Sequence, residues 1–171
     1  MAMDFGPTVY TAGEGLMVRT GETLTGIDGL NGQQVAVVEG SGSREILLTA
    51  AQEAGISVTV LPQATLEDAI ALLEGGQVIA VAGERADMLG PSYERSGVDV
   101  LPLRLTRVPL AMGLPEGDSA FRDMINLTMQ AMRAEGQFDA LFSIWFDDAP
   151  PAWEVWPGTP YRDLRIEITT P

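Results

Sequence analysis

The chain has 171 residues and a formal net charge of −14, and its ten basic residues are all arginine. Cysteine and histidine are both absent, which excludes disulfides, thiol nucleophiles, Cys/His zinc sites and a Ser-His-Asp triad. So acidic a chain repels phosphate backbones and anionic membrane surfaces, so no nucleic-acid partner is expected. The length is enough for one domain with a real core. No stretch approaches the roughly 20 apolar residues of a membrane span. The start, Met1 to Pro7, is neither basic nor followed by an apolar block and does not read as a signal peptide. No cofactor is expected, and an enzyme would have to work with carboxylates, arginine, tyrosine or a hard metal.

Gly15 to Arg19 reads as a short strand. Thr23 to Gly32 is a turn-rich connector with a possible helical turn at 27–30. Gln34 to Val38 is an uncharged strand with β-branched residues, consistent with burial on both faces. Ser43 is placed as an N-cap and Arg44 to Ala54 as a helix stopped by Gly55, with Ile46, Leu47, Ala50, Ala51 and Ala54 on one stripe. Ile56 to Leu61 is the next strand, ended by Pro62. Thr65 caps a helix running to Glu74, with Leu66, Ala69, Ile70 and Leu73 inward and Gly75-Gly76 at its end. Gln77 to Ala82 is a strand. Arg85 to Leu89 is a helix stopped by Gly90-Pro91, and Val98 to Leu103 and Arg107 to Met112 are two further strands.

The resulting order, β–β–α–β–α–β–α–β–β, predicts an α/β fold with a mainly parallel sheet flanked by helices. Two helices follow. One starts at Asp118 or Ser119 and runs to about 134, with Phe121, Ile125, Thr128, Met129 and Met132 on one face. The other, 137–146, carries Phe138, Leu141, Phe142, Trp145 and Phe146, an aromatic cluster read as helix packing. Residues 147–171 read as an extended tail containing Pro, Trp153, Trp156 and Tyr161.

Ligands in parallel α/β sheets bind outside the carboxyl ends of the strands. Two features fall at such ends. Gly40-Ser41-Gly42-Ser43 joins a strand to a helix. Its small residues let a ligand approach the backbone, and the helix N-terminus supplies N–H donors and partial positive charge for an anion. The same turn reads equally as an ordinary strand-to-helix connection whose glycines relieve strain. Glu84 closes the run Val78 to Gly83. It is a carboxylate for a ligand ammonium, or a helix N-terminal acid stabilised by the dipole, or a partner for Arg85 or Arg44. If both runs are parallel strands of one sheet, turn and carboxylate open on the same edge, an anion cradle beside a cation anchor. A dinucleotide loop would need glycine where Glu45 stands, and a phosphate-binding loop would need a lysine. The pairs Asp147/Asp148 and Glu94/Asp99 lack hard-metal loop spacing and read as solvated surface; no metal site is expected.

At these residues the chain resembles the family 3 extracellular solute-binding proteins, the polar-amino-acid receptors of ABC importers with the type II periplasmic binding protein fold. The resemblance covers roughly residues 4–146. Asp4 to Gly13 is similar, with departures, to the family's Asp-Phe-Ser-x-Pro-Tyr-Tyr hinge approach. Leu30 to Val37 is similar to its Leu-x-Gly-Lys-x-Val-Ala-Val, Gly40–Ser43 to its Gly-Thr-Thr/Gly-Ser loop, and Gly76–Arg85 to Gly-x-Val-Asp-Ala-Val-x-x-Asp-Arg. Gly117–Phe146 resembles the paired C-terminal helices, ending in Phe142-Ser143-Ile144-Trp145-Phe146.

Carried over by position, the resemblance implies that Gly40, Ser41, Gly42 and Ser43 meet a ligand α-carboxylate. Glu84 stands where a family aspartate holds the α-ammonium, one methylene longer. It implies a non-enzymatic solute-binding module for an amino acid or similar zwitterion, in a periplasmic or extracellular parent protein that is membrane-associated and serves an ABC permease. The family's first lobe would precede Phe5. The chain therefore resembles the second lobe plus the C-terminal helices: a hinge-derived segment at 1–14, a ligand-binding lobe at 15–112, a helix pair at 113–146 and the tail at 147–171. Without the first lobe, binding is expected to be weak or lost, and the helix pair is expected to be covered in a homodimer or by the tail. Three other readings stay open: a ligand-sensing module of a signalling protein, a lobe that only mediates association, and a dehydratase-like enzyme working through Glu84.

Overall fold

The apolar positions switch between period two and a helical period along the chain, and the backbone follows them. The computed structural model describes residues 3–145. Two strands open it, β1 (Met3–Ala12) and β2 (Glu14–Arg19), with only Gly13 between them. After a 3-10 turn at Ile27–Leu30 come β3 (Gln34–Val38), α1 (Ser43–Glu53), β4 (Thr59–Gln63), α2 (Leu66–Glu74), β5 (Ala80–Glu84) and α3 (Arg85–Glu94). Then follow β6 (Val98–Arg104), β7 (Val108–Pro115), α4 (Ser119–Ala134) and α5 (Gln137–Trp145).

Five strands make the central sheet, in the order β4-β3-β5-β2-β6. β3 runs parallel to both its neighbours, whereas β2 runs antiparallel to β5 and β6. Four strands thus point one way and β2 is inserted against them. Its direction follows from the route of the chain, which enters β2 at the edge where β3, β5 and β6 end.

Alternation along the strands builds a core on each face. Leu16, Val18, Val35 and Val37 pack with Leu30 of the 3-10 turn and Leu47 of α1 on one side. Met17, Ala36 and Val81 pack with Ala69, Ile70 and Leu73 of α2 and Met88 of α3 on the other. Burying each Leu, Ile or Val side chain contributes about 1.5–3 kcal/mol against the entropy of ordering it. β1 and β7 form a separate antiparallel ribbon. A third, smaller cluster of Met129, Phe138 and Phe142 packs α4 and α5 on this ribbon through Val9, Tyr10 and Met112.

Several expectations are corrected. The fourth strand begins at Thr59 and runs through Pro62. β4 is an edge strand, where the missing proline N–H leaves no ladder partner unpaired. The next strand lies at 80–84 and includes Gly83 and Glu84. α3 continues through Pro91 to Glu94, and the Ser92 hydroxyl donates to Leu89 O at 2.8 Å within that last turn. Ser43 is the first residue of α1, not its cap; the N-cap is Gly42, with no side-chain cap. The N-terminal segment, read only as a hinge approach, is a ten-residue strand. The tail at 147–171 and Phe146 lie outside the described residues.

The cap expectation at Thr65 holds. Its Oγ1 accepts the Asp68 N–H at 3.1 Å and donates to Asp68 Oδ2 at 2.7 Å. At the other end of α2, Arg19 donates to Leu73 O at 2.9 Å and Val78 O at 3.0 Å, joining the helix terminus to β2. Thr65→Ala leaves the first-turn N–H without its acceptor and is expected to cost about 1 kcal/mol in urea unfolding. A loss of less than about 0.3 kcal/mol would show that solvent replaces the cap.

Candidate functional site at the strand-end edge

One edge of the sheet gathers the ends of β3 at Val38, β5 at Glu84 and β6 at Arg104, together with the start of β2 at Glu14. Register fixes the neighbours: Glu14 lies opposite Glu84, and Gly15 opposite both Gly83 and Arg104. Residues paired across an antiparallel ladder project to the same face with Cβ atoms about 5 Å apart. Glu14 and Glu84 are therefore side by side.

Gly13 makes the passage from ribbon to sheet. Its φ is +151°, and a Cβ there would lie 2.2 Å from Thr106 O, so only glycine fits. Its N–H is shared by both Glu84 oxygens at 3.0 and 3.1 Å, and its carbonyl accepts the Arg85 N–H at 3.1 Å. The Glu14 N–H donates to Thr106 Oγ1 at 3.0 Å, and Leu105 N–H to Glu14 O at 2.8 Å. One shared N–H leaves acceptor capacity on both Glu84 oxygens.

The small-residue turn stands at the end of β3. Gly40 has φ +77°, a left-handed conformation that favours glycine. Ser41 N–H turns back to Val38 O at 3.3 Å and is not free for a ligand. Ser41 Oγ hydrogen-bonds Val38 O at 2.7 Å and Ser43 Oγ at 3.0 Å. Ser43 is 2% exposed, and its hydroxyl meets that of Ser41. The two hydroxyls thus hold the turn together, and what it offers a ligand is the N-terminus of α1.

Glu14 was not singled out in the sequence. It is 8% exposed, and its Oε2 is buried with no hydrogen-bond partner among the described residues. Burial pushes its pKa up, and the charges of Glu84 and Asp87 add to this, while the Ser43 hydroxyl opposes it. Glu14 is paired in register with Glu84, so two carboxylates stand together at this edge. Its signal in the sequence is slight: one carboxylate between two glycines at the head of an apolar run.

Tyr10, Arg85 and Arg104 complete the edge. The Tyr10 hydroxyl has a raised pKa, from burial first and the Glu84 charge second, with Arg104 and Arg85 opposing. Its ring centroid is 6.2 Å from that of Phe142, so the ribbon, α5 and the site edge share this side chain. Arg85 is buried, donates to Leu101 O, and packs its Cβ under Gly15. Arg104 donates to Thr11 O at 3.2 Å. Among the described residues, no group of three or more Asp or Glu stands together to hold a metal ion, and no helix is long and apolar enough to cross a membrane.

This is the fold of one lobe of a type II periplasmic binding protein, with helices on both faces of a sheet and a polar edge where its strands end. The proteins that the chain resembles are amino-acid ABC transporter solute-binding proteins and binding domains. It is 26% identical over 149 residues to the ABC transporter glutamine-binding protein GlnH of Bacillus subtilis, which covers 86% of this chain and 53% of that protein. The chain thus spans about half the length of this curated relative. The second substrate-binding domain of a putative amino-acid ABC transporter from Streptococcus pneumoniae overlies 84% of the chain and 64% of its own, at TM-score 0.72 and 19% identity. The second substrate-binding domain of Lactococcus lactis GlnP, in an open conformation, overlies 85% of the chain and 63% of its own, at TM-score 0.70 and 16% identity. No family model matches the chain.

Proposed function

We propose that this chain is the second lobe of an amino-acid receptor that serves an ABC importer outside the cytoplasmic membrane. The observation that carries this reading is the meeting of the Gly40–Ser43 turn and Glu84 on one strand-end edge, since β3 and β5 are parallel neighbours. In this reading Gly40, Ser41, Gly42 and Ser43 receive the ligand α-carboxylate at the α1 N-terminus. Glu84 receives the α-ammonium on its remaining lone pairs. Residues 15–112 are the binding lobe, 1–14 the hinge-derived approach and 113–146 the helix pair. Capture is non-enzymatic: a ligand shifts a two-lobed receptor toward closure because it binds the closed state better.

One lobe supplies only part of the contacts, so the chain alone is expected to bind amino acids at about millimolar Kd, near −4 kcal/mol. An amide NMR titration with a pool of uncharged L-amino acids checks this. Saturable shifts at Gly40–Ser43 and Glu84 are the expected result, with loss of saturation in Glu84→Ala. No shift at any of these amides would sink the reading.

Exposed apolar side chains lie on the ribbon and helix pair, among them Phe5, Leu110, Met124, Ile144 and Trp145. Exposed apolar side chains of this kind favour association. We propose that two copies cover it mutually. Light scattering should then give twice the mass of the chain, and a monomer at high concentration would end this part of the proposal.

A further inference from the structure

We propose that Glu14 is a second receptor for the ligand ammonium, which then sits between two carboxylates and must bring at least two N–H donors. The inference rests on the amino-acid reading above and adds a specificity residue to that site. A primary or secondary ammonium is taken, and a tertiary one is rejected.

Three observations carry it. Register sets Glu14 opposite Glu84 on neighbouring strands, so both side chains leave one face with Cβ atoms about 5 Å apart. Glu14 is 8% exposed, and its Oε2 is buried with no hydrogen-bond partner among the described residues. Glu84 shares the single N–H of Gly13 between its two oxygens, at 3.0 and 3.1 Å, which leaves lone pairs for a further donor.

A buried carboxyl oxygen without a donor lowers the stability of the fold. The arginines of this edge do not relieve it. Arg85 donates to Leu101 O and Arg104 to Thr11 O, and neither hydrogen-bonds Oε2. Burial, with the Glu84 charge added, pushes the Glu14 pKa up. A cation between the two acids removes both penalties together. The last torsion of a glutamate turns easily, so two carboxyls on Cβ atoms about 5 Å apart can both reach one nitrogen at hydrogen-bond distance. Each accepts along a lone pair and needs its own N–H. A tertiary ammonium, with one N–H, satisfies Glu84 or Glu14 but not both.

The test is an amide NMR titration of the full chain, as wild type and as Glu14→Met. The probes are the pool of uncharged L-amino acids and the same amino acids N,N-dimethylated. Wild type should bind the unmodified pool about tenfold or more tighter than the dimethylated one. Methionine keeps the length of glutamate and offers only a weak acceptor. In Glu14→Met the unmodified pool should therefore bind about tenfold or more weaker than to wild type, and the preference between pools should fall to about threefold or less. The urea midpoint of the variant should equal or exceed that of wild type, since an unpaired buried acid has been replaced by an apolar group. Three results would each overturn the role of Glu14 and leave the Glu84 reading intact: equal binding of the two pools by wild type, wild-type affinity or an undiminished preference in Glu14→Met, or a clearly lower midpoint, which would show that the carboxyl serves the fold. Absence of shifts with either pool in wild type would overturn both readings.

Discussion

Replacing Gly13 by alanine is expected to destabilise the chain by about 3 kcal/mol or more, the sum of backbone strain and a steric clash. The residue sits at φ +151°, and an added Cβ would meet the backbone oxygen of Thr106 at 2.2 Å, with its carbonyl carbon at 2.8 Å. Neither atom is the mobile end of a side chain. Relief requires β1 or the turn before β7 to shift, which breaks the Gly13 N–H contacts to Glu84 and the Glu14 N–H contact to Thr106. Gly76→Ala is the control. Gly76 also has positive φ, +70°, but open space around its Cβ, so it should cost only about 1 kcal/mol. Urea unfolding of the two variants separates strain from clash. Equal losses would mean that the passage between ribbon and sheet is looser than its geometry.

The second large effect is expected from Leu16→Ala, a loss of about 2–5 kcal/mol. Leu16 is fully buried on β2, between β5 and β6, in the cluster that joins the sheet to α1 and the 3-10 turn. Truncation there removes contacts and leaves a cavity that three neighbouring elements must close together. Leu16→Met keeps the volume and should cost less than about 1.5 kcal/mol. Both are read as shifts of the urea midpoint at unchanged slope. A Leu16→Ala loss below about 1 kcal/mol would mean that β2 is not an integral strand of the core.

Much of the architecture was legible locally. Val35, Ala36 and Val37 carry no charge and lie on a strand buried on both faces, as an uncharged β-branched run requires. Thr65 and Asp118 cap α2 and α4 through their side chains. The stripe Ala69, Ile70 and Leu73 is buried as its spacing demands. Boundaries set by proline were less legible. Pro62 and Pro91 read as stops. Pro62 is tolerated on an edge strand, where its missing N–H leaves no ladder partner unpaired, whereas Pro91 gives up the N–H that would reach back to Asp87 O, and α3 continues only to Glu94. The tail's aromatic residues lie outside the described residues.

The site divides in the same way. The turn Gly40–Ser43 and the carboxylate of Glu84 are visible in the sequence, because a small-residue turn before a helix and an acid closing an apolar strand are local patterns. What the turn's groups are engaged in is not local. Ser43 reads as a cap, but it is buried inside the first turn of α1 and its hydroxyl meets that of Ser41.

The sequence by itself determined the strand and helix segments, the small-residue turn and the classes of chemistry that a chain without cysteine or histidine excludes, since these follow from composition and from contacts a few residues apart. Only the tertiary structure decided that β2 lies antiparallel between β5 and β6, and so that Glu14 stands beside Glu84. Strand order and register are set by packing on both faces of the sheet and by the route through Gly13, a balance among residues far apart in the chain that no local pattern encodes.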